Sequence, residues 1–403
     1  MMKQRILILG TYPLHPAMHG GQKRTVAIIE KYRELGHEVK YASICTPGNY
    51  TNYSKDDLRV SEETMQALNV IPSPTFTELV TCQEAAKDQR IIAKLKQTIA
   101  SFKPTVVEYE QAYVYALVKA AGDALELEGV TIFFSSHNVE WQMKQDIALS
   151  EGCTPEEISP YVSAIKEIET ELTLSAERVM AVSQSDIDTY RKLAKGGVYI
   201  LAPNGINPLH PSEAAKAAWL KLFNEQGVNR TAVFVASAHP PNLHGFRTLI
   251  DGIGFLGFQE RIVIAGGVSD MLKDLAKKTS DIQLATLRNR VLFVGRLSET
   301  KLQGLIAAAD AVILPVLEGG GSNLKTAEAI TSGKPIIATT HAFRSYDDFM
   351  SFPNTYIADE PVAFQAAIKK ALSSKYVARD QEQTEKARQV LWDACLKPLE
   401  ELF

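Results

Sequence analysis

Residues 315–333 read PVLEGGGSNLKTAEAITSG, and the rest of the chain can be read outward from them. An apolar run, AVILPV (311–316), leads into Gly319-Gly320-Gly321 and then into a helix opening near Asn323. One glycine closes a turn, whereas three let the backbone come close to a ligand. A glycine-rich loop between a strand and a helix N-terminus suits anions, because its N–H groups form a nest and the helix dipole points at it. Lys325 falls in the first helical turn, where an ammonium opposes the dipole and asks for a compensating anion. It is also a point charge suited to phosphate. Glu328 lies one turn beyond Leu324, placed to accept hydrogen bonds from ribose hydroxyls. A glycine-rich surface turn with a solvated lysine fits the same residues.

The surroundings of this stretch follow one pattern. Short apolar segments alternate with amphipathic ones, as in a parallel sheet covered on both faces. RILILG (5–10), EVKYASI (38–44), PTVVEY (104–109), VTIFFSS (130–136), RVMAVS (178–183) and VYILAPNGIN (198–207) read as strands, the last running into a Pro/Asn/Gly loop. Helical stretches lie at 22–35, 84–102 and 155–176. The pattern restarts with TAVFVAS (231–237), RIVIAGG (261–267), VLFVGR (291–296), AVILPV, KPIIATT (334–340) and NTYIA (354–358). Helices are expected near 243–254, 268–278, 299–309, 323–332 and 360–374. The fold class is therefore α/β, with two doubly wound domains at 1–205 and 206–385. The stretch 386–403 is expected to be a helix crossing back toward the first domain. Two such domains facing each other make a cleft at the carboxyl ends of their strands, where α/β folds bind ligands.

Composition narrows the function. The 403 residues exceed the ~250–300 at which single cores stop growing. A hydrophobic content of 45%, a charged content of 22% and a formal net charge of −4 describe a soluble globular protein with no general attraction for nucleic acid. The four cysteines are scattered, without metal spacing or an obvious disulfide framework. No apolar run approaches the ~20 residues of a membrane span, so a cytoplasmic protein is expected. Segment 84–102, with Lys87, Arg90, Lys94 and Lys96, is the one candidate for peripheral membrane contact, and an ordinary surface helix explains it as well.

Other loops carry chemistry-bearing residues. GTYPLHPAMHGGQKRT (10–25) places Gly20 and Gly21 before a helix, where their N–H groups suit a phosphate or a sugar hydroxyl; a flexible loop with a Gly-Gly turn is the alternative. SSHNVEW (135–141) puts His137 at a strand end, where it can hydrogen-bond a substrate hydroxyl or polarise a leaving group. It can equally cap the strand end or fill the core, with Glu140 solvated. LAPNGIN (201–207) reads as a hinge. SAHPPNLHGFRTL (237–249) offers His239, Asn242, His244 and Arg247, the last expected early in a helix and facing phosphate or solvent. Arg296 and Leu297, after the strand VLFVGR, are candidates for packing against a base.

With these residues in view, the chain resembles glycosyltransferase family 4, the group 1 retaining glycosyltransferases of GT-B fold. Gly20-Gly21, SHNVE, AVSQSDIDTY, APNGIN and the long segment VGRLSETKLQGLIAAADAVILPVLEGGGSNLKTAEAITSGKPIIAT carry the resemblance, which covers nearly the whole chain. It implies that Glu328 binds the nucleotide ribose. Gly320, Gly321, Ser322, Asn323 and Leu324 would meet diphosphate and sugar, with His137 near the transferred sugar and Gly21 near the donor phosphate. It further implies a UDP- or GDP-sugar donor with no other cofactor, and transfer without a metal. The acceptor would be a saccharide, a lipid-linked saccharide or a small molecule.

Two departures stand out. The family pairs Glu328 with a glutamate eight residues earlier, but Gly320 stands there and Glu318 is ten residues away. The family's basic residues after the second domain's first strand are replaced by ASAHPPNLHGFR, so Lys325 and Arg247 are left to supply charge. The departures keep a non-catalytic sugar-nucleotide-binding or partner protein, and a GT-B epimerase, as alternatives.

Overall fold

The computed structural model describes all residues except 1–2, 18, 47–49, 51, 62–64, 123–126, 251–252, 279–289, 320–321 and 375. Gly320 and Gly321 of the expected nest therefore lie outside the described residues. The chain divides into two compact units, Met1–Asn204 with Cys395–Phe403, and Gly205–Ala394.

In the first unit, β1 (Arg5–Gly10), β2 (Glu38–Cys45), β3 (Leu58–Arg59), β4 (Val106–Glu110), β5 (Thr131–Ser135), β6 (Arg178–Ala181) and β7 (Val198–Leu201) form one sheet. Its order is β3-β2-β1-β4-β5-β6-β7, and every pairing is parallel. The connections carry α1 (Gly20–Glu34), α2 (Thr77–Ala85), α3 (Gln89–Phe102), α4 (Tyr113–Ala121), α5 (Glu140–Ser150), α6 (Pro155–Ser175) and α7 (Gln184–Leu193). The strand order reverses between β1 and β4, which is where a doubly wound sheet opens a crevice. The helix expected over 84–102 is two helices. Asp88 breaks it and caps α3 by accepting from the Arg90 N–H at 2.9 Å. Its basic side chains are engaged: Lys87 with Glu84, Arg90 with Asp88, and Lys94 with the Asp57 carbonyl.

In the second unit, β8 (Arg230–Val235), β9 (Glu260–Ala265), β10 (Val291–Gly295), β11 (Ala311–Leu314), β12 (Ile336–Ala338) and β13 (Thr355–Ile357) form a parallel sheet of order β10-β9-β8-β11-β12-β13. Its helices are α8 (Glu213–Glu225), α9 (Pro240–Ile250), α10 (Gly267–Lys278), α11 (Glu299–Ala308), α12 (Leu324–Ser332), α13 (Pro361–Ser373) and α14 (Gln381–Ala387). The two-residue period of the strands splits their apolar side chains between two cores. Val233, Val263, Val312 and Leu314 enter one, while Phe234, Ile262, Ile264 and Ile313 enter the other.

The stretch 386–403 is not the single crossing helix expected. After α14 the chain makes a short turn at Arg388–Val390 and extends at Leu391. There Ile206 donates to the Val390 carbonyl and accepts from the Trp392 N–H, both at 3.1 Å. Those bridging bonds and Pro398 leave only short turns, Trp392–Cys395 and Lys397–Glu401. Residues 395–403 complete the first unit. Leu396, Leu399 and Leu402 are buried, Glu400 pairs with Lys31 at 2.6 Å, and the Phe403 ring lies 4.4 Å from His37 and 5.8 Å from Tyr32. No helix among the described residues is long and apolar enough to cross a membrane.

Candidate active site

In the first unit, polar side chains gather where β1, β4 and β5 end and α1 begins. β4 reads VVEYE and is buried throughout, so Glu108 and Glu110 are both fully enclosed. Burial drives the Glu108 carboxyl well above the usual range, aided by Glu110 beside it, and the Tyr32 hydroxyl donates to it at 2.6 Å. Burial also acts on Glu110, but His137 and Arg24 outweigh it and hold that carboxyl below its ordinary value. Glu110 is thus the ionised member of the pair. It accepts from the Thr25 hydroxyl at 3.0 Å and from Nε2 of His137. Arg24, itself depressed by burial, supplies the nearby positive charge and donates to the Ala202 carbonyl at 2.7 Å. Its proximity to the Asn204 amide oxygen, 3.3 Å, ties α1 to the start of the Pro/Asn/Gly loop.

His137 is buried at the end of β5. It is 7% exposed, and its other ring nitrogen, Nδ1, lies 3.2 Å from the Tyr12 hydroxyl. Gly21 makes room for both. A Cβ there would sit 2.4 Å from the Tyr12 hydroxyl oxygen and 3.2 Å from His137 Nδ1, so a side chain at this point of α1 displaces the pair. Gly20 opens α1, whose N-terminus is capped from within: His19 Nδ1 accepts from the Gln22 N–H at 3.4 Å, and Gln22 Oε1 accepts from the His19 N–H at 3.2 Å. Glu140 is buried rather than solvated, and its Oε2 accepts from the Tyr113 hydroxyl at 2.7 Å. Glu169 caps α5 from α6, accepting from the Glu140 and Trp141 N–H groups at 3.1 and 3.0 Å, and burial raises its carboxyl to about 8.

The second unit has its own switch point, between β8 and β11. Asn323 is the N-cap of α12, yet its side chain makes no bond to the helix N–H groups. Its amide donates instead to Thr326 Oγ1 at 3.0 Å and toward the Ala342 carbonyl at 3.4 Å. Asn323 therefore gives the first turn no side-chain cap. Lys325 in that turn donates to Asn242 Oδ1 at 2.8 Å. Asn242, buried in α9, is oriented by donating to the Ser237 carbonyl and hydroxyl at 3.1 and 3.4 Å. Burial lowers the Lys325 ammonium to about 8, with Arg344 lowering it further and Glu328 opposing that effect. Arg344 follows β12 and flanks the loop before α12: a Cβ on Gly319 would lie 3.8 Å from its Nη2. Gly319 has φ +116°, a conformation for which the missing Cβ is needed, and its carbonyl accepts from His341 Nε2 at 3.0 Å.

Of the residues singled out from sequence, Lys325, Glu328, Asn323, Leu324 and Ser322 fall at or beside the start of α12. Arg247 does not. α9 starts at Pro240, earlier than expected, because proline is tolerated in a first helical turn. Arg247 is thus an exposed residue of its last turn, about 10 Å along the axis from the N-terminus. Arg296 is exposed just after β10, and Leu297 packs against one of the second unit's cores. Sequence reasoning assigned no role to Tyr12, Glu110 or Arg344, and named Asn242 without one. Two acids inside the otherwise apolar VVEYE were the available signal for Glu110.

The arrangement defines a class of fold: two doubly wound α/β units with polar clusters at their switch points, which is the GT-B architecture. Residues 229–374 match the family described as Glycosyl transferases group 1. Solved proteins of the same fold are similar over the entire chain. Sucrose-phosphate synthase from Thermosynechococcus elongatus is 18% identical with a TM-score of 0.67, over 99% of this chain and 98% of that one. Anabaena HepE in complex with UDP is 16% identical with a TM-score of 0.64, over 100% and 99%. The catalytic domain of starch synthase IV from Arabidopsis thaliana, bound to ADP and acarbose, is 13% identical with a TM-score of 0.63, over 100% and 99%. No curated protein matches in sequence.

Proposed function

We propose that this chain is a retaining glycosyltransferase that moves a hexose-type sugar from a nucleoside-diphosphate sugar to an acceptor without a metal ion. The observation that carries the reading is the start of α12. An ammonium pinned by Asn242, a second cation at Arg344 beside Gly319, and a helix N-terminus that its N-cap residue Asn323 does not cap come together there. Like charges there work against each other and against the dipole, and a diphosphate relieves both. Backbone amides, dipole and cations then neutralise the leaving diphosphate, the part a metal plays in other transferases. Glu328, on the same helix, is assigned to the ribose. The match of residues 229–374 to group 1 glycosyl transferases supports placing the donor in the second unit. HepE was solved with UDP and starch synthase IV with ADP, so a UDP-, GDP- or ADP-sugar heads the donor candidates. A cytoplasmic setting and a saccharide, lipid-linked or small-molecule acceptor belong to the same proposal.

Thermal-shift measurements across UDP, GDP, ADP, CMP and dTDP, with and without EDTA, test it. A diphosphate at 100 times its dissociation constant stabilises by about 2.7 kcal/mol. The expected result is one diphosphate that raises the melting temperature, resists EDTA and loses its effect in Glu328→Ala. No shift with any of them sinks the donor site.

A second reading, a non-catalytic sugar-nucleotide binder, is favoured by one observation: Gly320 stands eight residues before Glu328, where the resembling family has a glutamate. Turnover or slow hydrolysis of any nucleotide sugar that binds excludes it.

A further inference from the structure

Glu110 has no role in the reading above, yet it is the most enclosed ionised group of the first unit. It sits at the C-terminal end of β4, paired in register with Ser135 of β5, two residues before His137. The register of two adjacent parallel strands thus brings the carboxylate and the imidazole together. A carboxylate only accepts hydrogen bonds, so Nε2 of His137 carries the proton of their shared bond. In the neutral ring that leaves Nδ1 bare, and the Tyr12 hydroxyl, kept protonated by burial with Glu110 beside it, donates to Nδ1 at 3.2 Å. Both ring nitrogens are then committed, one inward to the sheet and one toward the loop after β1. The inward bond is closed off, with Glu110 fully buried and held from a second side by Thr25. The outward one rests on a single hydroxyl.

We propose that Glu110 is a positioning residue, fixing the His137 ring with its Nε2 proton inside the sheet so that Nδ1 faces outward as an acceptor for a sugar hydroxyl. In the free protein the Tyr12 hydroxyl occupies that place. His137 then receives a hydrogen bond from its ligand rather than giving one, which selects a hydroxyl donor over a carbonyl or phosphate oxygen. The ligand half of this inference rests on the glycosyltransferase reading, while the ring orientation stands without it.

Nitrogen NMR of protein labelled in its histidine rings tests both halves, with the His137 signals assigned by their loss in His137→Asn. At alkaline pH, where the ring is neutral, the free protein is expected to show a protonated Nε2 and an unprotonated Nδ1. Glu110→Gln should release the ring into a mixture of tautomers, and Glu110→Asp should restore the single form. Tyr12→Phe should shift Nδ1 alone and leave Nε2 protonated, a result that needs no change at Glu110. UDP-glucose and GDP-mannose are then compared with UDP and GDP, at concentrations where each stabilises the protein. The sugar nucleotide that binds should move the Nδ1 signal, and its parent diphosphate should not.

A protonated Nδ1 or mixed tautomers in the neutral ring of the free protein, or a Glu110→Gln spectrum like the wild type, overturns the positioning role. A bound sugar nucleotide that leaves Nδ1 unmoved overturns the hydroxyl assignment. If no sugar nucleotide stabilises the protein, the donor reading fails, and the tautomer result still decides the role of Glu110.

Discussion

Lys325 gives the donor site a dependence on pH with a definite sign. Its ammonium, lowered to about 8 chiefly by burial, loses its proton in a range where an exposed lysine keeps one. A diphosphate bound beside it favours the charged form, so binding takes up a proton once the pH passes 8. Between pH 7.5 and 9.5 the protonated fraction falls about 25-fold for a group titrating near 8, which is roughly 1.9 kcal/mol of affinity. Calorimetric titration of the preferred nucleoside diphosphate across that range should show this decline. Lys325→Arg, whose guanidinium stays charged, should flatten it. The free protein should move oppositely. A cation whose folded pKa lies below its unfolded value leaves the unfolded state with more protons, so this residue's contribution makes stability rise from pH 8 to about 10.5. An affinity that stays flat in the wild type, or declines equally in Lys325→Arg, refutes the assignment of this lysine to the diphosphate.

Other perturbations have equally definite outcomes. Gly21→Ala sets a methyl 2.4 Å from the Tyr12 hydroxyl; urea melts should show a loss of about 1–3 kcal/mol, largely recovered in the double variant with Tyr12→Phe. Leu399→Ala opens a cavity at a fully buried residue of the first unit and should cost about 2–5 kcal/mol by the same assay. Glu169, raised to about 8 mainly by burial, has a folded pKa above its unfolded one. Its contribution to stability is therefore lost as the pH climbs from about 4.5 to 8, and Glu169→Gln should remove that part of the pH profile.

The strands were legible because each is a short apolar run, and in a parallel sheet covered on both faces such runs need no polar alternation. RILILG and RIVIAGG could hardly be anything else. The start of α12 was legible too, because Asn323, Leu324 and Lys325 are neighbours in sequence. What sequence hid was pairing at a distance. Glu110 and His137 are 27 residues apart and meet only through the β4–β5 register. Arg344 reaches Gly319 from the far side of β12. Arg247 was misplaced because α9 opens at Pro240, three residues before the expected start. The tail was misjudged for another reason: the charged stretch was read as one helix, but the backbone around Leu391 is committed to Ile206.

That tail has a bearing on how the protein is made. Because residues 395–403 belong with Met1–Asn204, the second unit is covalently an insertion within the first. On the ribosome the first unit must wait, lacking Leu396, Leu399 and Phe403, while roughly 190 residues are added, on the order of 10–40 s at typical rates of synthesis. During that interval the Tyr32 and His37 rings lack the Phe403 ring that later packs against them. Met1–Asn204 is therefore completed only after the unit inserted into it has been made.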